Sequence, residues 1–383
     1  GFLHDKAAQV VAVSDLKSHV LKNKQNLVNT YYDNKDCKAY HDFRDVVDRD
    51  DIDACMVATC DHWHVLASLY AVRAGKDVYC EKPMGLSLEE DQTLREEVRK
   101  HNRIFQFGTQ QRSDPKFQLA CQLAREGKIG DIHTINVWSP GSSAGGDPTP
   151  VPVPEWLDYD FWLGPAPYKP YTENRCSNKL WWFISDYALG FIAGWGIHPL
   201  DIALWGARDK FTGPWTLKGT GQFPREGVAD TALNWDIDIE FGSGMKMRFT
   251  GNPYPNEWKK RYEDECGHGT AFEGSDGWIY VRRGKISSSP KSLVENAEFP
   301  EGSDQYTNST DAHVSNFLDS MRTRKPPLSE IGVSVEGDML CHVSDIAIRL
   351  EKEMRFDPKK ERFIDDKQGN RRLRRFMRKP WKL

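Results

Sequence analysis

The sequence predicts a Rossmann-like α/β domain with a parallel sheet, followed by an α+β domain with a large, open, mainly antiparallel sheet. Two patterns indicate this order. In the first 130 residues, short continuous apolar runs alternate with helical stretches, as in a parallel sheet that helices cover on both faces. From residue 131 onward the apolar residues alternate with polar ones over longer runs, as in antiparallel strands with one solvated face.

The first domain is expected over residues 1–130. Gly75 lies just past one helical stretch, and Ser87 with Glu90 three residues later has the pattern of a capping box. The predicted strands are residues 8–15, 52–58, 77–80 and 103–108, and the predicted helices are the polar stretch after residue 15 and residues 41–49, 64–75 and 87–101.

The second domain is expected over residues 131–310, and C-terminal helices with a basic tail, residues 311–383, are expected to pack back on both domains. A Pro-rich, aromatic stretch interrupts the strands at residues 145–171. The predicted strands are residues 132–138, 231–241, 245–251 and 278–284, and the late helices are residues 313–324 and 334–354.

One expected unit is missing from the beginning of the sequence. A dinucleotide-binding fold opens with a strand, a glycine-rich turn and a helix N-terminus that together hold the pyrophosphate. If Asp15 ends the second strand of such a fold, the first strand and its glycine loop belong upstream. We therefore expect this sequence to be a shortened form of the protein.

Composition argues against several classes of partner. The net charge of −4 gives no general attraction to nucleic acid, and no apolar run is long enough to span a bilayer. The eight cysteines contain no CxxC pair and several lie in apolar runs, which is typical of scattered buried thiols. A reducing compartment, the cytoplasm, fits that usage best.

A charged motif follows the strand at residues 77–80. Lysine is almost never fully buried without a partner, yet Glu81 and Lys82 come directly after an apolar run. Pro83 then fixes the backbone and ends the strand. The pattern predicts a charged group held still at the carboxyl end of a strand, with a surface salt bridge as the simpler alternative.

Four segments in order carry a family resemblance: Asp15, VATCDHWH at residues 57–64, AGKDVYCEKPM at residues 74–84 and GWGIHPLD at residues 194–201. With them the sequence resembles the Gfo/Idh/MocA family, and within it a bacterial branch. The members of this family are nicotinamide-dependent oxidoreductases that act mainly on sugars and cyclitols. The resemblance covers nearly the whole chain apart from the missing N-terminal unit.

The resemblance implies a cofactor site. Lys82 would lie beside the nicotinamide and the reacting hydroxyl, Glu81 near the nicotinamide ribose, and Asp15 on the adenosine ribose, which favours NAD over NADP. The full set of cofactor-binding residues that it implies is Asp15, Thr59, His64, Glu81, Lys82, Pro83 and Gln110. The alternatives are a helix cap for Asp15 and a metal site at residues 61–64; we expect no metal.

The catalytic residues implied are Lys82 and His198, since a desolvated lysine or a histidine can exchange a proton with an alcohol. The sequence departs from the family pattern at Gly194, where an Asp is usual. The residues that could replace that Asp are Asp186, Tyr187 and Asp201.

The substrate residues implied are Arg112, Trp162, Tyr187, His198 and Asp201. Aromatic faces suit the apolar faces of sugar rings, although a core role is an equal alternative for each aromatic residue. Arg175, Lys179 and the LWWF run at residues 180–183 are expected in the same cleft.

The function implied is an NAD-dependent dehydrogenase acting on a secondary alcohol of a sugar, glycoside or cyclitol. The alternatives are an NAD-dependent glycosidase that oxidises its substrate transiently, with Tyr187 as a further base, and a binding protein without catalysis. We expect a carbohydrate substrate, no nucleic acid and no membrane partner.

The oligomeric state, the cellular compartment and the role of the basic C-terminal tail can also be predicted. The resemblance implies a homo-dimer or homo-tetramer, and periplasmic export by a twin-arginine signal is the alternative to the cytoplasm. The last 14 residues carry seven Lys or Arg with interleaved apolar residues, which favours an arm packed on its own protein or on a neighbouring subunit over a nucleic-acid arm.

Overall fold

The computed structural model describes residues 1–177, 180–300 and 308–383. In the N-terminal part, strands and helices alternate as predicted. The strands are β1 (Ala12–Ser14), β2 (Lys38–Tyr40), β3 (Ala54–Val57), β4 (Asp77–Cys80) and β5 (Phe105–Phe107), and the helices are α1 (Ser18–Tyr32), α2 (Arg44–Val47), α3 (Asp61–Arg73), α4 (Leu88–Lys100) and α5 (Pro115–Arg125).

The parallel strands form two sheets rather than the one sheet expected. β1 pairs with β2, and β3, β4 and β5 form a separate parallel sheet in that order. No described strand lies between β1 and β3, and the side chain of Met56 on β3 is 53% exposed. Strand β2 was not predicted, because its three residues are polar or small and mostly exposed and so give no apolar pattern.

The C-terminal part contains a nine-stranded sheet in the order β12-β11-β10-β6-β9-β8-β7-β13-β14. All neighbouring strands pair antiparallel except β6 and β9, so the predicted, mainly antiparallel sheet is confirmed. The strands are β6 (Ile132–Trp138), β7 (Trp215–Gln222), β8 (Asn234–Glu240), β9 (Lys246–Thr250), β10 (Gly269–Gly274), β11 (Gly277–Arg282), β12 (Lys285–Ser289), β13 (Met354–Asp357) and β14 (Arg362–Phe363).

Eight α-helices accompany this sheet in the described residues. They are α6 (Tyr159–Leu163), α7 (Phe191–Gly194), α8 (Ile197–Ala207), α9 (Asn256–Arg261), α10 (Ser292–Glu295), α11 (Ser309–Thr323), α12 (Ile331–Leu350) and α13 (Lys367–Arg372). Helix α12 packs against β7, α8 and α4, and therefore connects the two parts of the chain.

Strand β8 shows why one face of the large sheet is covered. Trp235, Ile237 and Ile239 are buried, while the alternate acidic residues on the strand face solvent. Burying one such aliphatic side chain stabilises the fold by about 1.5–3 kcal/mol. The period of two thus fixes the side of the sheet on which helices such as α12 pack.

The capping box predicted at the start of α4 has a different geometry. Ser87 Oγ donates to Glu90 Oε2 over 3.1 Å instead of accepting a backbone N–H, and the same carboxylate oxygen accepts from the Leu86 N–H, also over 3.1 Å. The reason is that Glu90 is buried and forms an ion pair with Arg375 of the C-terminal tail.

The basic tail packs on its own protein, which is one of the two arrangements expected. Arg375 Nη2 lies 2.7 Å from Glu90 Oε1 and Arg375 Nε lies 2.8 Å from Glu90 Oε2. The Trp381 ring meets the Trp63 ring edge to face at 4.7 Å between centroids. The tail therefore fixes the beginning of α3 and α4.

The eight cysteines are free thiols, as their spacing predicted. None of the helices formed by the described residues is long and apolar enough to cross a membrane.

Substituting Arg375 tests the docking of the tail. Arg375→Gln leaves the buried Glu90 carboxylate without its partner, so we expect the free energy of unfolding to fall by about 3 kcal/mol. Arg374→Gln is the matched control, because Arg374 is exposed and pairs with the half-exposed Glu89, and we expect it to cost less than about 1 kcal/mol. Urea denaturation of both variants measures the difference; equal losses would contradict the docking.

Candidate active site

The candidate site is built around the turn that follows β4. All four residues of β4 are buried, and the Lys82–Pro83 peptide bond is cis. Gly108, just after β5, approaches this turn so closely that a Cβ there would lie 2.8 Å from Glu81 Oε2. A larger residue would have to displace the Glu81 side chain, so the small Gly108 lets the carboxyl ends of β4 and β5 together present Glu81 and Lys82 at one edge of the sheet.

Side chains from two helices hold the backbone of this turn. His64 on α3 places Nδ1 2.6 Å from the Pro83 carbonyl oxygen and Nε2 3.0 Å from the Thr59 carbonyl oxygen. Asp338 on α12 accepts the Met84 N–H at Oδ2 over 3.2 Å. These groups are buried, and leaving such a donor or acceptor unpaired costs about 1–3 kcal/mol, so the turn is tightly constrained.

Lys82 points from the turn to the second part of the chain. Its Nζ donates to the Gly194 carbonyl oxygen over 2.7 Å. Burial lowers the pKa of Lys82, and the nearby Asp61 and Glu81 carboxyl groups offset this only in part. The same burial raises the pKa of Asp61, whose Oδ2 has no hydrogen-bond partner among the described residues. The lysine is thus a desolvated amine that loses its proton more easily than a free lysine does.

His198 lies in the first turn of α8, near Lys82. It is buried, and its Nδ1 has no hydrogen-bond partner among the described residues. Burial, together with the positive charges of Lys82 and Arg283, moves the pKa of His198 well below its ordinary value. The imidazole is therefore neutral at pH 7 and offers a nitrogen to a ligand.

Trp195 joins three other groups at this site. Its ring centroid lies 5.7 Å from that of His198 and 4.7 Å from that of His268, which precedes β10. The Arg283 guanidinium carbon, in the turn between β11 and β12, stands 4.7 Å from the Trp195 ring centroid. The large sheet thereby contributes His268 and Arg283 to the same cleft as Lys82.

The residues expected to hold the cofactor lie at the carboxyl ends of the parallel strands. Glu81 Oε1 accepts from Gln110 Nε2 over 3.0 Å, and burial raises the pKa of Glu81. Thr59 follows β3 and is exposed, while Asp15 follows β1 and is half-buried, with its Oδ1 accepting the Lys17 N–H over 2.8 Å. Polar groups at several strand ends fit a dinucleotide laid along this edge.

Arg112 and Asp201, both expected to touch substrate, are instead bound to each other. Arg112 Nε and Nη2 each lie 2.7 Å from an Asp201 carboxylate oxygen, and both side chains are buried. The guanidinium also lies 5.3 Å from the centroid of the Trp205 ring. This pairing occupies the polar atoms that a substrate would need and favours a role in positioning α8, on which Asp201 and His198 both lie.

Trp162 and Tyr187 are likewise committed to packing. Trp162 is 6% exposed, its carbonyl oxygen accepts from His62 Nε2 over 2.9 Å, and its ring packs against Tyr187 at 4.7 Å. Arg175 Nη1 donates to the Tyr187 hydroxyl over 3.3 Å, and burial raises the pKa of Tyr187 to about 12. This geometry does not favour the substrate contacts expected for the two rings. Lys179 lies outside the described residues.

The departure at Gly194 has a local explanation. The backbone carbonyl of Gly194, not a side chain, receives Lys82. Of the proposed replacements for the missing Asp, Asp201 pairs with Arg112 and Tyr187 bonds to Arg175. The buried carboxyl group that acts on Lys82 comes instead from Asp61 at the start of α3.

A buried cluster behind the turn has the residue types of a metal site. The ligand atoms of Asp91, Asp338 and His342 lie within 4.8 Å of one another. His342 Nε2 is 3.0 Å from Asp91 Oδ2, and although burial lowers the pKa of His342, the two carboxylates outweigh it and raise the pKa to about 10. The contact between His342 and Asp91 holds α12 against α4.

Sequence reasoning missed Trp195, His268 and Arg283, and it considered Asp61 only as part of the alternative metal site at residues 61–64. Asp61 and Trp195 stand inside the quoted DHWH and GWGIHPLD segments, so their position beside family motifs was an available signal. His268 and Arg283 come from the antiparallel sheet, and only the three-dimensional structure brings them to the cleft.

Comparison with known families agrees with this architecture. Residues 2–109 match the Gfo/Idh/MocA family described as "Oxidoreductase family, NAD-binding Rossmann fold". Residues 143–383 match the companion family described as "Oxidoreductase family, C-terminal alpha/beta domain". The two matches cover most of the chain and confirm the predicted fold class with its NAD-binding domain.

Individual relatives are more distant. Myo-inositol 2-dehydrogenase of Thermotoga maritima is 28% identical over 152 residues, which is 40% of this chain and 41% of that protein. Levoglucosan dehydrogenase of Pseudarthrobacter phenanthrenivorans is 33% identical over 91 residues, 24% of this chain and 23% of that protein. The aligned stretches thus span less than half of either relative.

A solved structure extends the likeness to nearly the whole fold. The structure of levoglucosan dehydrogenase in complex with NADH and levoglucosan matches with a TM-score of 0.67 and 15% identity, over 92% of both chains. At that identity the likeness concerns the fold alone.

The structural role of Arg112 can be tested through stability. Arg112→Met leaves Asp201 charged and buried without a partner, so we expect the free energy of unfolding to fall by about 3–5 kcal/mol. The double variant Arg112→Met/Asp201→Leu should recover part of that loss in urea denaturation.

A surface pair provides the control for that test. Arg248→Met removes the partner of Asp236, which is about half exposed, and should cost less than about 1 kcal/mol. An equally small loss for Arg112→Met would mean that the buried pair does not hold α8.

Proposed function

This chain belongs to the Gfo/Idh/MocA oxidoreductase family, and on that premise we propose that it is an NAD-dependent dehydrogenase acting on a secondary alcohol of a sugar, glycoside or cyclitol. The observation that supports this most is the desolvated Lys82 amine, 2.7 Å from the Gly194 carbonyl oxygen and close to the neutral His198. Relatives named as inositol and levoglucosan dehydrogenases support the same substrate class.

Lys82 is the better proton acceptor of the two catalytic candidates. General-base catalysis works best when the pKa of the base lies near the working pH. Burial lowers the pKa of Lys82 from its high ordinary value toward neutrality, whereas it moves the pKa of His198 further below. We therefore assign Lys82 to accept the hydroxyl proton and His198 to orient the hydroxyl by a hydrogen bond.

The cofactor would lie along the strand ends that carry Asp15, Thr59, Glu81 and Gln110. Asp15 would accept hydrogen bonds from the adenosine ribose, and Glu81 with Gln110 would lie at the nicotinamide end. His64 connects the turn after β3 to the turn after β4, because its ring nitrogens contact the Thr59 and Pro83 carbonyl oxygens. His64 and Pro83 would therefore act on the cofactor through the backbone of these two turns. When bound, NAD supplies the hydride acceptor.

The proposed reaction balances as a two-electron oxidation. The hydroxyl O–H bond breaks and its proton moves to Lys82 Nζ, while the carbinol C–H bond breaks and a hydride, with both electrons, leaves. A carbonyl group forms at the ring carbon. Constraining the turn around Lys82 serves this step, because hydride transfer requires closely defined distances.

The glycosidase alternative requires a further base near His198, for which the sequence offered Tyr187. The Tyr187 hydroxyl accepts a hydrogen bond from Arg175, and burial raises the pKa of Tyr187 to about 12, so Tyr187 does not support that reaction.

We propose in addition that the protein forms a homo-dimer or homo-tetramer, and that it works in a reducing compartment because its eight cysteines are free thiols.

Turnover on a panel of alcohols tests the proposal. With NAD and myo-inositol, levoglucosan, glucose, methyl β-glucoside, D-glucuronate or D-glucose 6-phosphate, at least one compound should give rising absorbance of reduced nicotinamide. Lys82→Met should lower kcat about 10²-fold to 10⁴-fold because it removes the proton acceptor. Lys76→Met is the control, since Lys76 is also buried and bonds to a backbone carbonyl, that of Arg49, outside the cleft.

Two results would overturn this proposal: no reduced nicotinamide with any compound from protein that retains NAD, or equal rates for Lys82→Met and Lys76→Met. Release of a chromogenic aglycone without net reduction of NAD would favour the glycosidase instead.

The pH dependence of kcat/KM gives a separate test. A base must be unprotonated to accept a proton, so kcat/KM should rise with pH through the pKa of Lys82 and then level off. Because burial lowers that pKa, the midpoint of the rise should lie below pH 10.5. Lys82→Met should lack this limb; a midpoint at or above 10.5 would contradict the assignment.

A further inference from the structure

We propose that the substrate carries an acidic group and that Arg283 binds it at the mouth of the cleft. This inference rests on the proposed dehydrogenase function and narrows its substrate to anionic sugars, namely sugar carboxylates or sugar phosphates.

The position of Arg283 is the first argument. It lies in the turn between β11 and β12, is exposed, and has its guanidinium carbon 4.7 Å from the Trp195 ring centroid. Trp195 in turn contacts His198 at 5.7 Å between ring centroids. The Trp195 ring therefore contacts both the Arg283 guanidinium and His198, the proposed catalytic histidine.

The charge balance around Arg283 is the second argument. Among the described residues, no carboxylate forms an ion pair with Arg283. Its neighbour Arg282 does have such a partner, with Nε 3.0 Å from Asp264 Oδ2. The acid that acts on Arg283, Asp114, already caps α5 by accepting the Lys116 N–H over 2.9 Å. The cleft thus holds an unpaired guanidinium close enough to Lys82 for its charge to lower the pKa of that lysine.

The chemistry of these groups is the third argument. A guanidinium presents parallel N–H donors that match a carboxylate or phosphate, and such charge-assisted pairs are stronger than neutral hydrogen bonds. His198 Nδ1 and His268 Nε2 are buried polar atoms without partners among the described residues, and they can serve the hydroxyl groups.

The competing explanation is that Arg283 only covers Trp195 through a cation–π contact. The protein contains a matched example elsewhere, since the exposed Arg125 stacks on Trp205 at 5.2 Å and donates to its carbonyl oxygen. Arg125→Gln therefore controls for the loss of an exposed arginine from a tryptophan face.

Calorimetry with the NADH-loaded protein tests the inference without requiring turnover. The probes are D-glucuronate, D-glucose 6-phosphate and neutral D-glucose. We expect one anionic probe to bind at least about 10-fold more tightly than glucose. Arg283→Gln should weaken that binding about 10-fold to 100-fold, as for the loss of a hydrogen bond to a charged group, and leave glucose binding unchanged. Arg125→Gln should change neither.

The outcomes separate cleanly. Preference for glucuronate assigns a carboxylate, and preference for glucose 6-phosphate assigns a phosphate. Equal binding of all three probes, no binding of the anionic probes, or an equal loss of glucose binding in Arg283→Gln would overturn the inference. Because the alcohol panel measures reduced nicotinamide, the dehydrogenase proposal can stand or fall independently of these affinities.

Discussion

The hydrogen bond from Lys82 Nζ to the Gly194 carbonyl oxygen is the contact on which the rest of the site depends. It joins the turn after β4 to the end of α7, and so connects the parallel strands to the second part of the chain. A charged amine is costly to bury, and one carbonyl acceptor compensates only part of the lost hydration. Burial therefore lowers the pKa of Lys82 and makes the amine a better proton acceptor, while the contact with Gly194 holds the amine between the two parts.

Several distant parts of the chain keep that contact in place. His64 on α3 and Asp338 on α12 hold the Pro83–Met84 backbone, and His342 links Asp338 to α4 through Asp91. Arg375 of the C-terminal tail forms an ion pair with Glu90, the residue before Asp91 on α4. Through these contacts, residues more than 250 positions away in the sequence shape the turn around Lys82.

The sequence was informative where the signal is local. The apolar runs predicted β3, β4 and β5, and the motifs around Lys82 and His198 indicated the family that the matches confirm. It could not show that Arg112 and Asp201, 89 residues apart, neutralise each other, because a motif gives a residue's type and not its partner. For the same reason Trp162 was predicted to contact the substrate although it is buried. Arg283 was not predicted as a site residue, because it lies on a hairpin far away in the sequence.

The central claim is that Lys82 is a desolvated amine with a lowered pKa, and its titration tests this most directly. Lysine side chains labelled with ¹³C and ¹⁵N can be followed by NMR across pH, with the Lys82→Met variant identifying the Lys82 resonance. The account predicts a midpoint below the ordinary value of 10.5. A midpoint at or above 10.5 would show that the amine remains charged in its site and would contradict the assignment of Lys82 as the proton acceptor.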